Sequence, residues 1–224
     1  MTDTTPGALR IRAALFDLDG TLVATEHRSR AAWTRLFRTH GVEVNDTVLA
    51  TFVGRRGQES LADHVHKFPR GTVEELFAEA VGYLEGPDIP PPYPVPGAEA
   101  LVKELHAQGI PMAVVTSGLR EHALALLEHV GGAQLFSAVI TAEDVRTGKP
   151  DPEGFLAGCA ALGVDPSQAT AFEDAPAGIA AAKAAGLRCV ALTTTHDAEA
   201  LGQADTVAAD YTELTWSPRK TPTA

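Results

Sequence analysis

A chain of 224 residues with 45% hydrophobic content is long enough for one large domain, or one domain with a smaller companion, and apolar enough to bury a core. A formal net charge of -11 and a pI of about 5.1 argue against nucleic acid and anionic membranes as partners, so any anionic ligand must be drawn in by local positive groups. No stretch is apolar for long enough to span a bilayer, residues 1–10 lack the apolar run of a signal peptide, and Cys159 and Cys189 lie in apolar surroundings without metal-ligand spacing, so reduced thiols and a cytoplasmic location are expected.

The first predicted element is a short buried strand over residues 11–16, ending in Asp17-Leu18-Asp19-Gly20-Thr21. Residues 25–40 carry Ala32, Trp33, Leu36 and Phe37 at helical spacing, with Gly41 as a stop. Helical stretches follow near 46–52, 58–65 and 72–84, uninterrupted by any strand pattern. Residues 85–97 are so dense in proline that neither helix interior nor central strand is possible; they read as a stiff connector at a domain boundary. Beyond it, strands at 110–116, 138–141, 169–173 and 188–192 alternate with helices at 98–108, 119–130, 153–162 and 177–185, and a last helix is expected near 198–203. Such alternation predicts an α/β fold with a doubly wound parallel sheet. Residues 216–224 are expected to be a frayed tail.

Polar clusters end three of these strands: Asp17/Asp19, Thr116/Ser117 and Glu173/Asp174. In an open α/β sheet that rim is where ligands bind. The alternative for Asp17 and Asp19 is a strand-ending Asx turn, and for Thr116 and Ser117 a plain helix N-cap. Strand alternation puts Asp17 and Asp19 on one side, so four carboxylates, Asp17, Asp19, Glu173 and Asp174, are expected to meet. Two like charges about 4 Å apart repel by roughly 4 kcal/mol at an effective dielectric near 20. A cation or a proton must therefore sit among them. An all-oxygen ligand set suits a hard divalent ion, and Mg²⁺ best, because it keeps waters and is commonly shared between carboxylates and a substrate phosphate. Lys149, between Gly148 and Pro150, is the natural fixed counter-charge. Thr116, Ser117 and the amides near Gly118 are expected to open a helix and so to offer N–H groups to an anion. His64 and His66 do not share a helix face and are not read as a metal site; His40, His106, His122, His129 and His196 are read as surface or capping residues.

Four segments in order, Asp17-Leu18-Asp19-Gly20-Thr21, Val115-Thr116-Ser117-Gly118, Gly148-Lys149-Pro150-Asp151-Pro152-Glu153 and Phe172-Glu173-Asp174-Ala175-Pro176-Ala177-Gly178-Ile179, resemble the haloacid dehalogenase-like superfamily and its β-phosphoglucomutase-like branch. Residues 172–185 are also similar to the glycerol-phosphate and 2-deoxyglucose-6-phosphate phosphatases. The resemblance implies a core of residues 1–23 and 96–224 with an inserted α-helical cap domain at 24–95. It implies that Asp17 is the nucleophile and forms an aspartyl-phosphate, that Asp19 is the general acid and base, and that Lys149 bridges phosphoryl group and nucleophile. It gives the Mg²⁺ ligands as Asp17, the Asp19 carbonyl and Asp174, with Glu173 beside them or acting through water, and the phosphate binders as Thr116 or Ser117 with the Gly118 amide. Arg56, in Gly54-Arg55-Arg56-Gly57, falls on an arginine of the polyol-type phosphatases and is expected to reach substrate; a solvated arginine pair is the alternative. Thr25, Glu26 and His27 lie at the hinge.

The implied activity is hydrolysis of a small phosphorylated metabolite, a sugar or polyol phosphate. Ser29 and Gly57 replace a hinge histidine and a cap arginine of the mutases, and Ala24 replaces a usually acidic hinge residue. A sugar phosphomutase and a non-catalytic phospho-acceptor module are the rival readings. Oligomeric state is not legible.

Overall fold

Residues Ala13–Phe16 (β1) are all buried, as a central parallel strand covered on both faces requires. In the computed structural model, which describes residues 9–53, 55–84 and 86–216, the chain continues as β2 (Val23–Ala24), α1 (Glu26–Thr39), α2 (Asp46–Ala50), α3 (Gly57–His64), α4 (Val73–Tyr83), β3 (Tyr93–Pro94) and α5 (Ala98–Ala107). Then come β4 (Met112–Val115), α6 (Arg120–Leu127), β5 (Ala138–Ile140), α7 (Glu153–Leu162), β6 (Ala169–Glu173), α8 (Pro176–Ala184), β7 (Arg188–Leu192) and β8 (Thr206–Ala208). Gly54, Glu85 and residues 217–224 of the expected tail lie outside the described residues.

Six strands form one parallel sheet in the order β5-β4-β1-β6-β7-β8, which is the doubly wound architecture expected from the alternation. Alternate residues of β1 feed two cores. Ala14 and Phe16 join Met112, Val114 and Phe172 on one face, where Phe16 stacks on Phe172 at 4.8 Å between centroids. Ala13 and Leu15 join Val115, Phe155 and Ala171 on the other. Because β1 lies between β4 and β6, their C-terminal ends open side by side onto one crevice, at the point where the winding direction reverses.

Helices α1 to α4 bury a separate core of Trp33, Leu36, Phe37, Phe52, Leu61, Phe68 and Leu76. Thr72 and Glu75 close a reciprocal capping box at the start of α4, which satisfies two otherwise orphaned amides. This helical unit is joined to the sheet by a two-residue ribbon, with Val23 opposite Pro94 and Ala24 opposite Tyr93. The ribbon lies partly within the stretch expected to be only a connector; Pro94 is tolerated there because each strand of a two-stranded ribbon is an edge.

Two expectations fail at the C-terminal side. Residues 198–203 form turns, not a helix: Asp197 accepts the amide of Ala200, and Leu201 alone is fully buried, so the segment has one anchor and no apolar stripe to dock. The edge strand β8 was not expected, because three residues, Thr206, Val207 and Ala208, are too few to show a period.

Candidate active site

Asp17 stands where β1 ends. Its amide donates to the Phe172 carbonyl at 2.9 Å, so the last sheet bond fixes its backbone against β6. Glu173 closes β6 and Asp174 follows it; Asp17, Glu173 and Asp174 are 7%, 1% and 3% exposed. One carboxylate oxygen from each lies within 4.8 Å of the others. Lys149, from the loop between β5 and α7, places its Nζ 2.5 Å from Asp17 Oδ1 and 2.5 Å from Glu173 Oε1. The Lys149–Pro150 peptide is cis.

Asp174 and Glu173 have further anchors. Thr21 Oγ1 donates to Asp174 Oδ1 at 2.9 Å, and Thr195 Oγ1 donates to Asp174 Oδ2 at 2.5 Å. The amides of Asp174 and Ala175 donate to Glu173 Oε2 at 3.1 and 3.4 Å. Gly20 has a positive φ of 86° and packs so tightly on Asp174 that a Cβ there would collide with its carboxylate.

Burial first, then the neighbouring carboxylates, holds Asp17 well above its ordinary pKa although Lys149 pulls the other way. Burial and then Glu173 push Asp174 up to about 7, against the hydrogen bonds from Thr195 and Thr21. Lys149 is held above its ordinary range because the Asp17 and Glu173 charges outweigh its burial, so it keeps its proton. Three carboxylates therefore face one ammonium in a nearly solvent-free site. The cluster takes up either protons or one hard cation, and its all-oxygen donor set fits a divalent ion.

Asp19 departs from the expected four-carboxylate cluster. Strand geometry ends at Phe16, and the chain folds back through amide bonds from Leu22 and Val23 to the Leu18 carbonyl, so the alternation does not reach residue 19. Its Oδ1 accepts from Thr25 Oγ1 at 2.7 Å and lies 3.2 Å from His122 Nε2. Burial alone would raise Asp19, but the His122 and Thr25 contacts prevail and hold it below its ordinary value. His122 is thus a half-buried partner of Asp19, not the plain surface or capping residue expected: it comes from α6, in the unit that holds the sheet, while Thr25 begins the helical unit.

Thr116, Ser117 and Gly118 line the same cleft, but they do not open a helix. The N-cap of α6 is Leu119, and the Arg120 amide is taken by Glu143 Oε2 at 2.6 Å. Thr116 Oγ1 accepts the Gly118 amide at 2.9 Å, which makes a tight turn of the three residues. Among the described residues the Ser117 hydroxyl has no hydrogen-bond partner. Arg56, at the start of α3, lines the cleft and donates to the Ala142 and Val145 carbonyls at 3.3 and 3.4 Å, a contact from the helical unit to the loop after β5. Thr195 and His196 were not singled out by any motif. His196 Nδ1 lies 3.0 Å from the Asp174 carbonyl, so the loop after β7 holds Asp174 by side chain and backbone together.

A family model for haloacid dehalogenase-like hydrolases matches residues 11–186. The chain is 54% identical to validoxylamine A 7'-phosphate phosphatase of Streptomyces hygroscopicus subsp. limoneus, over 92% of this chain and 96% of that one. It is 33% identical to hexitol phosphatase A of Escherichia coli, over 92% and 94% of the two chains. Among solved structures, a β-phosphoglucomutase from Clostridium difficile superposes with a TM-score of 0.76 at 26% identity, covering 92% of this chain and 93% of that one. Geometry and comparison agree on one assignment: this chain belongs to the haloacid dehalogenase-like hydrolases.

Proposed function

We propose that the protein is a Mg²⁺-dependent phosphomonoesterase of small sugar or polyol phosphates, working through a phosphorylated Asp17. The observation that carries this reading is the contact of Lys149 with both Asp17 and Glu173 at 2.5 Å, in a cluster completed by Asp174 and bordered by a separately held Asp19. The relatives named as phosphatases of validoxylamine 7'-phosphate and hexitol phosphates support the substrate class. An Asp17 carboxylate oxygen attacks phosphorus, the bond from phosphorus to the ester oxygen breaks, and Asp19, ionised in the free protein, relays to the leaving alkoxide the proton it takes from the substrate monoanion. Asp19, now a carboxylate, takes a proton from the water that attacks the phosphoaspartate; inorganic phosphate leaves and Asp17 is restored. Lys149 neutralises charge on the transferring group, and Thr116, Ser117 and the Gly118 turn hold its oxygens. Residues 24–95 act as the cap that shuts out water, and Arg56 reaches across to the substrate side from that unit. The buried, free thiols of Cys159 and Cys189 suit a reducing cytoplasm, and no helix among the described residues is long and apolar enough to cross a membrane.

Mg²⁺ would be held by Asp17 and Asp174, with Glu173 beside them, and supplies Lewis-acid polarisation of the phosphoryl oxygens when bound. Release of inorganic phosphate from a panel of glycerol, hexose and hexitol phosphates tests the activity. EDTA is expected to abolish it and Mg²⁺ to restore it; turnover indifferent to chelator would remove the metal from the reading.

The raised carboxylates add a pH signature. A carboxyl group whose folded pKa lies above its unfolded value stabilises the metal-free fold below the unfolded pKa, and that contribution is lost as pH rises through the folded pKa, about 7 for Asp174. Metal-free protein is therefore expected to melt lower at pH 8 than at pH 5.5, and saturating Mg²⁺ to raise the melting temperature more at pH 8, where no proton must be displaced. Equal Mg²⁺ shifts at both pH values would count against Asp174 as a ligand. Gly178, the third residue of α8 after Pro176 and Ala177, faces Glu173 so closely that a Cβ would collide with its carboxylate. Gly178→Ala is expected to displace Glu173 and weaken Mg²⁺ affinity by roughly tenfold to a hundredfold, read as the Mg²⁺ concentration needed for half-maximal activity.

A further inference from the structure

Asp19 is held differently from Asp17 and Glu173. Lys149 grips those two, whose side chains are 10% and 1% exposed; the Asp19 side chain is 35% exposed, in a turn beyond the end of β1. A carboxylate so open to solvent has several rotamers within reach unless something ties it. Two donors do so, and both take the same oxygen: Thr25 Oγ1 lies 2.7 Å and His122 Nε2 3.2 Å from Asp19 Oδ1. Asp19 Oδ2 has no hydrogen-bond partner among the described residues. It faces the turn at Gly118, where a Cβ would stand 3.8 Å from it.

His122 is the third residue of α6, and its ring lines the cleft. The helix does not call on it. The Arg120 amide at the helix start is taken by Glu143, and Ala123, Leu126 and Leu127 are the residues that α6 buries. The ring is instead wedged between Asp19 and the turn that follows β4, since a Cβ on Gly118 would stand 3.3 Å from His122 Cδ2. An ionised carboxylate only accepts, so the Nε2 of His122 carries a proton and donates it to Oδ1. The two donors also belong to different bodies. Thr25 is the N-cap residue of α1, at the head of the helical unit, whereas α6 packs with the sheet. A shift of the helical unit carries the Thr25 hydroxyl with it; His122 stays where β4 and α6 put it.

We propose that His122 is a positioning residue for Asp19: its Nε2–H fixes Oδ1 from the sheet side, so that Oδ2 is the oxygen presented to the leaving group and to the attacking water, wherever the helical unit stands. The proposal rests on the phosphatase reading above and adds a residue to it. The hold matters most where Asp19 handles a proton, on an alkyl leaving group and on the water that clears the phosphoaspartate. It matters least for a nitrophenolate, which leaves unaided.

The test measures single-turnover release of glucose from glucose 6-phosphate and of nitrophenolate from p-nitrophenyl phosphate, with Mg²⁺ and protein in excess, together with steady-state kcat and KM. The variants are His122→Ala, which removes the donor, and His122→Gln, whose side-chain amide reaches about as far as Nε2 and donates but carries no charge. His122→Ala is expected to slow glucose release and kcat roughly tenfold to a hundredfold, with KM changed less than about threefold, and to slow nitrophenolate release at least about fivefold less than glucose release. His122→Gln is expected to recover most of that loss. Wild-type glucose release in His122→Ala, equal losses on the two esters, or a loss confined to KM would each overturn the proposal. So would a glutamine variant as slow as alanine, above all if added imidazole restores His122→Ala, since the ring would then be carrying a proton and not a position. If His122→Ala lacks a melting transition, His122→Met keeps the bulk without the donor and carries the same expectations. Failure of wild type to release phosphate from either ester would instead overturn the phosphatase reading itself.

Discussion

Asp17→Asn is expected to lower phosphate release from every ester by roughly 10⁴-fold or more and to leave the fold intact. In the proposed reaction the Asp17 carboxylate attacks phosphorus, and an amide oxygen at the same position is a far poorer nucleophile. The stability side follows from the electrostatics. Asp17 is held well above its ordinary pKa, burial first, with Glu173 and Asp174 adding to it, so its charge is a burden on the metal-free fold that asparagine removes. Lys149 keeps Glu173 as its partner at 2.5 Å, so no buried cation is stranded. The melting temperature of metal-free Asp17→Asn is therefore expected to equal or exceed that of wild type at pH 8, while kcat collapses. Turnover near the wild-type rate in this variant would end the nucleophile assignment. An inactive variant that has also unfolded would be recognised by its lost melting transition.

Much of this site was legible because the sheet does the positioning. Asp17, Glu173 and Asp174 follow β1 and β6, strands readable as short apolar runs, and parallel neighbours deliver their C-terminal residues to one rim whatever the rest of the chain does. Lys149 was legible as the nearest cation in a stiffened loop. What the pattern hid has a common cause: it depends on segments without a period. Thr195 and His196 act from a loop after β7, and no local spacing announces that this loop folds over Asp174. His122 sits on α6 at a position helical periodicity cannot tell from a solvent-facing one; only the docking of that helix puts it on Asp19. Asp19 itself was misplaced because two-residue alternation was carried past the end of the strand into a turn. The β2–β3 ribbon, two residues a side, is below the length at which any strand signal exists.

Asp19→Asn separates the two halves of the proposed reaction. In the structure Asp19 stands apart from the cluster of Asp17, Glu173 and Asp174, with one oxygen held between Thr25 Oγ1 and His122 Nε2. Those contacts favour its ionised form, the form needed to take a proton from water. Asparagine keeps an oxygen that accepts the same hydrogen bonds, so its orientation survives while its proton chemistry is lost. General acid–base catalysis contributes roughly 10² to 10⁴-fold, and steady-state turnover is expected to fall by that amount. The two steps respond differently according to the leaving group. A p-nitrophenolate leaves without help, so Asp17 is still phosphorylated, and water then attacks slowly for want of a base. The expected record is a burst of about one nitrophenolate per protein, followed by a slow linear phase, with acid-quenched protein carrying one phosphate. An alkyl ester such as glucose 6-phosphate needs its alkoxide protonated, so on that substrate the burst is absent and phosphorylation itself is slow. A burst of equal size on both esters would show that Asp19 is no acid in the first step, and clearance of phosphoenzyme at the wild-type rate would show that it is no base in the second.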